Sequence, residues 1–399
     1  MRILIYSHAF PPMIGGVESI TMTLAEGLAS WPKTHGETPV EVTVATNTPA
    51  GATDDSRLPF RVIRKPNLRV LLSLIRSADI VHLAGPTLLP LLFGFLLWKT
   101  VVVEHHGYQS VCPNGLLIYG PEKSVCTGHF MARHYRECVL CGSRDIGWMA
   151  SLRGTVLTFP RRWLCTRIAG NIAVSDHVAR RISLPRTKTI YHGIIDPGLV
   201  QPAATITSGE QLKIAYVGRF VEEKGIPTLL DAAKLLLGFR RAFHVALIGD
   251  GPQRESLERQ VDNLGLKAHV TFTGFLSAAK LHDALRSIDV VVMPSEWEET
   301  AGLAAMEQMI RGGVVVAADI GGLAEVVGDA GMKFTAGDSA SLASRLVQVQ
   351  DDVTLRARLR SEARRRAVQL FDRDKMLGEH LAFYRDVMSK LPGKQPACV

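Results

Sequence analysis

The segment LKIAYVGRFVEEKGIPTLLDAAKLLLGFRRAFHVALI, residues 212–248, contains the structural unit that decides the fold. Its apolar runs Leu212–Val217 and Phe243–Ile248 predict two strands, and the helical spacing of apolar residues over 227–237 predicts a helix between them. The same alternation of strand and helix extends along most of the chain in both directions. A chain that alternates in this way builds a parallel, doubly wound sheet. We therefore predict an α/β fold.

The alternation runs in two series, which predict two domains. The segment 197–211 is polar and contains Pro, Gly, Ser and Thr, as expected of a linker. It separates a Rossmann-like domain over 1–196, with a Cys-containing insert at about 108–145, from a second Rossmann-like domain over 212–375. The remaining residues, 376–399, are predicted as a helix and tail. The stretch 353–390 is charged and predicted to be helical throughout; its two interpretations are a solvated helical face and a C-terminal helix that packs back on the N-terminal domain.

The composition favours anionic partners. The formal net charge is +8 over 399 residues, which suits phosphorylated substrates, acidic lipid surfaces or nucleic acid. The Lys and Arg residues form no nucleic-acid-binding motif, so nucleic acid is not expected. The N-terminus has no signal-peptide pattern, and the uncharged segment 83–98 is shorter than the ~20 residues of a spanning helix. We expect a cytoplasmic protein, whose six cysteines are reduced thiols or metal ligands.

Two cations follow the predicted strand Leu212–Val217. Arg219 and Lys224 stand just before the next helix, where the helix dipole already favours anions. Further positive charge at that place is sensible if an anion such as a diphosphate binds between the cations and the helix. The alternative is an exposed loop in which Glu222 and Glu223 neutralise the two cations.

The loop over 295–302 leads into a predicted helix that contains Glu307. Gly302, next to Leu303, would let a ligand approach the backbone N–H groups at the helix start. Glu299 in the loop and Glu307 about one turn inside the helix can accept hydrogen bonds from sugar hydroxyls. The alternative is that these acids only complement the helix dipole. Glu307 fits that alternative poorly because it lies in the helix interior.

Two N-terminal loops carry further candidates. Gly15 and Gly16 join the first predicted strand to the first helix and can cradle a phosphate or a sugar. His106 follows the predicted strand over 100–104, so it is expected at the ligand-binding edge of the sheet. A structural histidine with satisfied hydrogen bonds is the alternative for His106.

Taken in order, these motifs resemble glycosyltransferase family 4, a family of retaining enzymes with the GT-B fold. The resemblance covers nearly the whole chain. It rests on these motifs: His8-x-Phe10-Pro11-Pro12 with Gly15-Gly16 and Glu18, Asp79-Ile80-Val81-His82, Gly218-Arg219 with Lys224-Gly225, Glu299-x7-Glu307, and Gly321-Gly322 with Glu325. The family implies two Rossmann-like domains that face each other across a cleft and a nucleotide-diphosphate sugar as donor.

The resemblance also implies roles for the candidate residues. Arg219 and Lys224 would neutralise the diphosphate leaving group, which is electrostatic catalysis. Glu307 would bind the ribose hydroxyls and Glu299 the transferred sugar. His106 would contact the donor sugar and help the transfer.

The other donor-binding positions implied by the resemblance offer mainly backbone groups; they are Gly15, Gly16, Gly218, Gly302 and Leu303. The family generally needs no metal for catalysis, because the two cations replace it. The chain departs from the family at Ala301, where an aromatic residue is common. That departure leaves the identity of the sugar open.

The resemblance implies a retaining glycosyltransferase that moves a sugar from a UDP- or GDP-linked donor to a glycan or lipid-linked acceptor. Cell-envelope or polysaccharide synthesis is the expected context. Two alternatives remain: a non-catalytic sugar-nucleotide-binding protein of the same fold, and a GT-B sugar-nucleotide epimerase. An epimerase would require a different acid/base set, which we do not find in the sequence. An assay for hydrolysis of a sugar-nucleotide donor, or for transfer of its sugar, would distinguish the glycosyltransferase from these alternatives.

Four cysteines lie in the insert after His106. Cys138 and Cys141 have the spacing of metal ligands and, with Cys112 and Cys126, can form a tetrahedral structural Zn²⁺ site. Unlinked thiols are the alternative. A redox role for the Cys138–Cys141 pair is disfavoured, because no helix start clearly follows it.

The segment 148–167 combines basic and aromatic residues. This composition suits peripheral contact with an anionic membrane at its inner face, and a lipid-linked acceptor would favour such a contact. The alternative is an ordinary helix in which Arg153, Arg161, Arg162 and Arg167 are solvated.

Overall fold

The computed structural model divides into two units of chain. The amino-terminal unit consists of Met1–Gly193 and the segment that begins at Arg373, and the carboxy-terminal unit is Ile194–Asp372. The structure describes residues 1–13, 15–36, 39–51, 54–198 and 211–390. Residues 199–210 of the predicted linker and 391–399 of the predicted tail lie outside the described residues.

Parallel strands form the main sheet of the amino-terminal unit. The strands of this unit are β1 (Arg2–Ser7), β2 (Glu41–Thr46), β3 (Arg61–Arg64), β4 (Ile80–Ala84), β5 (Thr100–His105), β6 (Ile118–Tyr119), β7 (Ser124–Val125), β8 (Gly170–Ala173) and β9 (Thr187–Thr189). The sheet has the order β3-β2-β1-β4-β5-β8-β9, and neighbouring strands are parallel. Strands β6 and β7 form a separate antiparallel hairpin. Every residue of β5 is buried, as expected of a central strand in a parallel sheet that is covered on both faces.

Helices connect these strands. They are α1 (Gly16–His35), α2 (Leu68–Ser77), α3 (Leu88–Leu96), α4 (Tyr135–Ile146), α5 (Trp148–Cys165) and α6 (Asp176–Ile182). Side-chain caps fix the starts of two of them, because Asn67 accepts a hydrogen bond from the N–H of Val70 and Ser175 accepts one from Val178. In the part of the chain that the structure describes, no helix combines the length and apolar character needed to cross a membrane.

Helix α5 buries small polar side chains and exposes large apolar ones. Its buried residues include Ser151, Thr155 and Thr158. Its outward face carries residues that are between 43% and 64% exposed: Trp148, Leu152, Val156, Phe159 and Trp163. Two arginines of α5 differ from the alternative considered from the sequence, in which all of these arginines are solvated. Arg161 donates to the carbonyl oxygen of Pro86, and Arg162 donates to that of Ile182.

The carboxy-terminal unit repeats the parallel architecture. Its strands are β10 (Leu212–Val217), β11 (Phe243–Ile248), β12 (Val270–Gly274), β13 (Val290–Met293), β14 (Val314–Ala318) and β15 (Met332–Phe334), in the order β12-β11-β10-β13-β14-β15. All neighbouring pairs are parallel. Its helices are α7 (Ile226–Gly238), α8 (Arg254–Leu264), α9 (Ala278–Leu285), α10 (Leu303–Ile310), α11 (Gly321–Val327), α12 (Ser339–Asp351) and α13 (Val353–Leu370). The predicted α/β class with two doubly wound parallel sheets is confirmed.

The last described helix, α14 (Arg373–Ser389), belongs to the amino-terminal unit. Its Leu377 and Leu381 share an apolar cluster with Leu24 and Leu28 of α1. A Cβ atom at Gly27 would lie only 2.4 Å from a methyl carbon of Leu377, so the glycine permits this close packing of α1 against α14. The core of the amino-terminal unit is therefore completed by residues from the far end of the chain.

Candidate active site

The strand order of the carboxy-terminal unit reverses between β10 and β13. The chain adds β11 and β12 on one side of β10 and then returns to place β13 on its other side. Loops that follow two strands at such a reversal leave a crevice at the carboxyl edge of the sheet, which is the usual ligand site of an open α/β sheet. Here the two loops are 218–225 and 294–302.

An ion pair and a backbone hydrogen bond join these two loops. Lys224 Nζ lies 2.8 Å from Oε1 of Glu299, although the two residues are 75 positions apart in the chain. The N–H of Glu296 donates to the carbonyl oxygen of Glu223 over 3.0 Å. The side chains of Lys224 and Glu299 are only 21% and 7% exposed. The ion pair is therefore better shielded from water than a typical surface pair.

Glu299 keeps one carboxylate oxygen for another donor. Lys224 and the hydroxyl of Ser295 both contact Oε1. Among the described residues, Oε2 of Glu299 has no hydrogen-bond partner. The ammonium of Lys224 also lies 5.7 Å from the centre of the Trp297 ring, a favourable cation–π distance. The acid that contacts Lys224 is thus Glu299, rather than the neighbouring acids considered from the sequence.

Arg219 lies in the same loop as Lys224, and its side chain is exposed. Its carbonyl oxygen accepts a hydrogen bond from the hydroxyl of Tyr216 over 2.9 Å, which fixes the backbone beside Gly218. Within the described residues, no carboxylate forms an ion pair with its guanidinium. A cation without an acidic partner at the end of a strand is available to an anionic ligand.

Helix α10 begins without a side-chain cap. Its N-cap residue is Gly302, whose φ of 68° lies in the left-handed region that favours glycine. The backbone N–H groups that follow, beginning at Leu303, carry the positive end of the helix dipole. Helix α7 likewise begins without a side-chain cap, after Gly225. Both predicted anion-binding helix starts therefore offer backbone donors to a ligand.

Glu307 lies about one turn inside α10 and is half-buried. Burial raises the pKa of its carboxyl group, and the charge of Arg311 opposes this rise. No residue in the described part of the chain donates a hydrogen bond to the Glu307 carboxylate. A half-buried carboxylate without donors gains from a ligand that brings hydroxyl groups.

The glycine pair Gly321–Gly322 packs against the loop that carries Glu299. A Cβ atom at Gly322 would lie 2.1 Å from the carbonyl oxygen of Thr300, and the N–H of Gly322 donates to the carbonyl oxygen of Glu299 over 2.6 Å. These glycines hold the loop in place through backbone contact. Their role in the structure is therefore to allow close packing of the backbone at the start of α11.

The amino-terminal sheet also reverses its order, between β1 and β4. Gly15 lies in the loop after β1, and Gly16 is the first residue of α1. A Cβ atom at Gly15 would be 2.4 Å from Oε2 of Glu18, so the Glu18 carboxylate lies directly beside Gly15. A sugar hydroxyl, which can donate a hydrogen bond, suits this position better than a phosphate.

A buried carboxylate lies next to His106 in the amino-terminal unit. Oε2 of Glu104, at the end of β5, lies 3.6 Å from Nε2 of His106 and 3.1 Å from Nε2 of His82 on β4. It also lies 3.7 Å from Nε2 of His380 on α14. His192 approaches from the end of β9, with its Nε2 3.2 Å from Nδ1 of His106. His106 is therefore one member of a histidine cluster around Glu104.

The electrostatics of this cluster favour an ionised Glu104. Burial opposes ionisation, but the charge of His106 and hydrogen bonds from the surrounding histidines hold the pKa of Glu104 well below its usual range. Burial lowers the pKa of His82, and it lowers the pKa of His192 to about 3. A buried carboxylate needs hydrogen bonds or a balancing positive charge, and the groups that lie against Glu104 are the surrounding histidine rings.

Sequence reasoning missed Glu104 and most of its partners. Among the described residues, Glu104, His106 and His192 form a group of residue types that can bind a metal, and their ligand atoms all lie within 4.8 Å of one another. The further contacts of His82 and His380 with Glu104 favour a hydrogen-bonded network over a metal site. The signal in the sequence that could have revealed Glu104 is a charged residue near the end of a predicted strand, directly after a run of valines.

Comparisons with known proteins agree with this geometry. Residues 201–366 match the family model described as Glycosyl transferases group 1. A 2-deoxystreptamine glucosyltransferase of Streptomyces kanamyceticus is 31% identical over 216 residues, which cover 49% of this chain and 55% of the relative. A phosphatidyl-myo-inositol mannosyltransferase of Mycobacterium leprae is 32% identical over 203 residues, which cover 48% of this chain and 52% of the relative. The chain spans about half the length of the curated relatives it matches.

The fold is shared with solved structures over nearly the whole chain. HepE of Anabaena, in complex with UDP and glucose, matches with a TM-score of 0.69 at 19% identity. The match covers 97% of this chain and 100% of HepE. The predicted GT-B fold is confirmed.

We expect the free energy of unfolding to fall as the pH drops from about 7 to about 5. Burial lowers the pKa of His105 to about 4 in the folded protein, whereas an unfolded histidine titrates near about 6.5. Between these values the unfolded chain binds the extra proton, so stability is lost as the pH falls. At about pH 5 the loss from His105 alone is about 2 kcal/mol. Urea unfolding at the two pH values measures it.

A matched pair of variants isolates this contribution. His105→Gln keeps a neutral partner for Asn171, which lies 3.0 Å from Nε2 of His105, and should reduce the loss of stability at about pH 5 by about 2 kcal/mol, while the part due to His82 and His192 remains. His282→Gln, at a half-exposed position of α9, should leave it unchanged. The same pH dependence in all three proteins would contradict the assignment.

Proposed function

We propose that this chain, whose residues 201–366 belong to the glycosyl transferases of group 1, moves a sugar from a UDP- or GDP-linked donor to a glycan or lipid-linked acceptor. The configuration of the anomeric carbon is retained, and the reaction serves cell-envelope or polysaccharide synthesis. The observation that carries the proposal is the joined loop pair at the strand-order reversal, where Lys224 contacts Glu299. HepE, which has the same fold, has been solved with UDP and glucose, and its ligands support a nucleotide-sugar donor.

The diphosphate of the donor binds at the cations and the uncapped helix starts. Arg219 has no acidic partner among the described residues, and Lys224 lies in the same loop. As the bond from the anomeric carbon to the diphosphate breaks, negative charge grows on the phosphate oxygen. Fixed cations and helix N–H groups stabilise that charge without a reorganisation of solvent. Catalysis therefore requires no metal ion.

The nucleoside and the sugar bind to the carboxylates. Glu307 accepts hydrogen bonds from the ribose hydroxyls, because its half-buried carboxylate has no donor in the described part of the chain. Glu299 accepts from the transferred sugar through Oε2, since Lys224 and Ser295 both contact Oε1. The backbone at Gly302 contacts the sugar or the phosphate.

The transfer step follows the front-face course expected for retention. The acceptor hydroxyl attacks the anomeric carbon on the side from which the diphosphate leaves, and its proton passes to the departing phosphate oxygen. His106 contacts the donor sugar during this step. Glu104 and His192 position the ring of His106 through its two nitrogens.

A lipid-linked acceptor agrees with the outward face of α5. The face exposes Trp148, Val156 and Trp163, and Arg153 and Arg167 are exposed on the same segment. Large apolar side chains beside cations suit the boundary of an anionic membrane. The mannosyltransferase relative is named for a phosphatidyl-myo-inositol acceptor, which supports a lipid partner. We propose peripheral contact of this face with the inner surface of an anionic membrane.

Donor binding tests the proposal directly. Thermal unfolding should be followed with a panel of UDP-, GDP-, ADP- and dTDP-sugars in the absence of added metal. A ligand that binds only the folded protein at about 100 times its Kd stabilises it by about 2.7 kcal/mol, so one nucleotide class should raise the Tm. No shift with any donor would favour a degenerate, non-catalytic protein.

Glu307→Gln should weaken binding of the matching donor about 10- to 100-fold, because a hydrogen bond to a charged acceptor is lost. Isothermal titration measures the change. Glu255→Gln, an exposed acid on α8, is the matched control and should bind as the wild type does. Unchanged affinity in Glu307→Gln would overturn its assignment to the ribose.

Arg219→Ala should lower the turnover number about 100-fold or more, because one group that stabilises the leaving diphosphate is removed. Release of nucleoside diphosphate, with and without acceptor, measures the rate, and NMR of the product gives the anomeric configuration. Arg259→Ala on α8, where the arginine is 70% exposed, is the control. Wild-type turnover in Arg219→Ala would contradict the proposed role.

Membrane contact makes a separate prediction. The double variant Val156→Ser/Phe159→Ser should lower binding to vesicles that contain phosphatidylglycerol by about ten-fold or more, because it removes exposed apolar area from α5. Co-sedimentation measures binding, and salt should weaken the part due to arginine. Phe275→Ser removes an exposed phenylalanine from the carboxy-terminal unit and should leave binding unchanged. Equal binding by all three proteins would sink the membrane assignment.

A further inference from the structure

Four cysteines of the segment between β5 and α5 line one cavity. The cavity has a volume of about 50 Å³, and its lining includes Cys112, Cys126, Cys138, Cys141, Asn114 and His129. Cys138 and Cys141 lie one turn apart on the same face of α4. Cys126 directly follows β7, where its N–H donates to the carbonyl oxygen of Leu117 over 2.7 Å. Side chains from three separate parts of the segment thus converge on one space.

Donors converge on the sulfur atoms. The N–H of Gly128 donates to Sγ of Cys126 over 3.4 Å, and the N–H of Gly120 donates to Sγ of Cys141 over 3.3 Å. Backbone N–H groups in the turn after Cys112 also point to its sulfur. N–H groups directed at sulfur suit the thiolate, which is the form that binds metals. As thiols, Cys112 and Cys141 donate to oxygen atoms of Asn114 and Ile118.

A half-buried histidine adds a further candidate ligand. His129 lines the same cavity, and its Nδ1 is buried without a hydrogen-bond partner among the described residues. An unpartnered nitrogen in a buried site is costly unless something outside the protein chain satisfies it. This unpartnered nitrogen is an observation separate from the positions of the sulfur atoms, and it also indicates that the cavity binds a ligand.

The four thiols lie close together around one cavity. A metal cation suits such a cluster, because it deprotonates coordinating thiols and neutralises their charge.

The local fold also needs an additional constraint. Strands β6 and β7 have two residues each, and a two-stranded hairpin is marginal by itself. A structural metal contributes its binding free energy to the folding of such a segment. The segment is joined to the rest of the unit by hydrogen bonds from Ser151 to the carbonyl oxygen of Val139 and from Arg181 to that of Cys126.

We propose that Cys112, Cys126, Cys138 and Cys141 hold a structural metal centre as thiolate ligands. Four-thiolate sites bind Zn²⁺ or an iron–sulfur cluster. Among the described residues, the potential metal-ligand atoms that all lie within 4.8 Å of one another are those of the group around Glu104. The four cysteine sulfur atoms therefore lie further apart than the ligand atoms around a single bound ion. Either the cavity closes on a single Zn²⁺, or a larger iron–sulfur cluster fills it.

Metal analysis of the full-length protein tests this centre. Protein purified without oxygen, chelator or added metal should contain either about one zinc ion per chain or iron with acid-labile sulfide. Visible absorption and the sulfide assay distinguish the two. Zinc, iron and sulfide all well below the protein concentration would overturn the proposal.

Matched variants assign the ligands. Cys138→Ser/Cys141→Ser should lose the metal, whereas Cys165→Ser should keep it, because Cys165 is a buried cysteine of α5 that does not line the cavity. Retention in the double variant, or equal loss in Cys165→Ser, would contradict the assignment.

A wild-type measurement covers the case in which the double variant does not fold. Co²⁺ exchanged into the wild-type protein should give the intense charge-transfer absorption of thiolate ligation if the centre holds a single ion. If the centre is a cluster, iron and sulfide should instead be released together. A wild-type protein without Co²⁺–thiolate absorption and without sulfide would refute the centre. Donor binding is measured separately, so failure here leaves the glycosyltransferase proposal intact.

Discussion

The ion pair between Lys224 and Glu299 is the contact on which the carboxy-terminal site depends. Each residue lies in a loop without regular strand or α-helix structure, and a loop alone does not hold a side chain precisely enough for catalysis. The strand order places the two loops beside each other, and the ion pair then fixes their relative position. Gly322 also supports the loop of Glu299, through the backbone of Glu299 and Thr300. The site is thus built from charge, strand order and backbone contact together.

The amino-terminal unit handles its buried charge differently. Glu104 has no lysine or arginine against its carboxylate in the described residues, but several histidine rings surround it. A ring nitrogen can supply a hydrogen bond in its neutral form and a full charge in its protonated form. Glu104 is therefore surrounded by groups whose charge can vary, whereas Glu299 faces the fixed charge of Lys224.

The sequence was sufficient for features that depend on neighbouring residues. The predicted strands Leu212–Val217 and Phe243–Ile248 have the same bounds as β10 and β11, and α7 begins one residue before the predicted 227–237 helix. Apolar periodicity is local, so it reveals such elements. The partners of Glu104 were not predictable in this way: the hydroxyl of Tyr384 lies 2.8 Å from Nδ1 of His82, 302 positions away. The hydrogen bonds of Arg161 and Arg162 to backbone oxygens were hidden for the same reason.

Helix α14 has a consequence for the order in which the protein acquires its structure during synthesis. The ribosome releases residues from the amino terminus onward, and domains generally fold as units during that process. Residues Ile194–Asp372 form a complete unit once Asp372 has emerged. The earlier-made unit still lacks Leu377 and Leu381, which pack with α1, until the last helix leaves the exit tunnel. The half of the protein that is translated first is therefore the half that completes its core last.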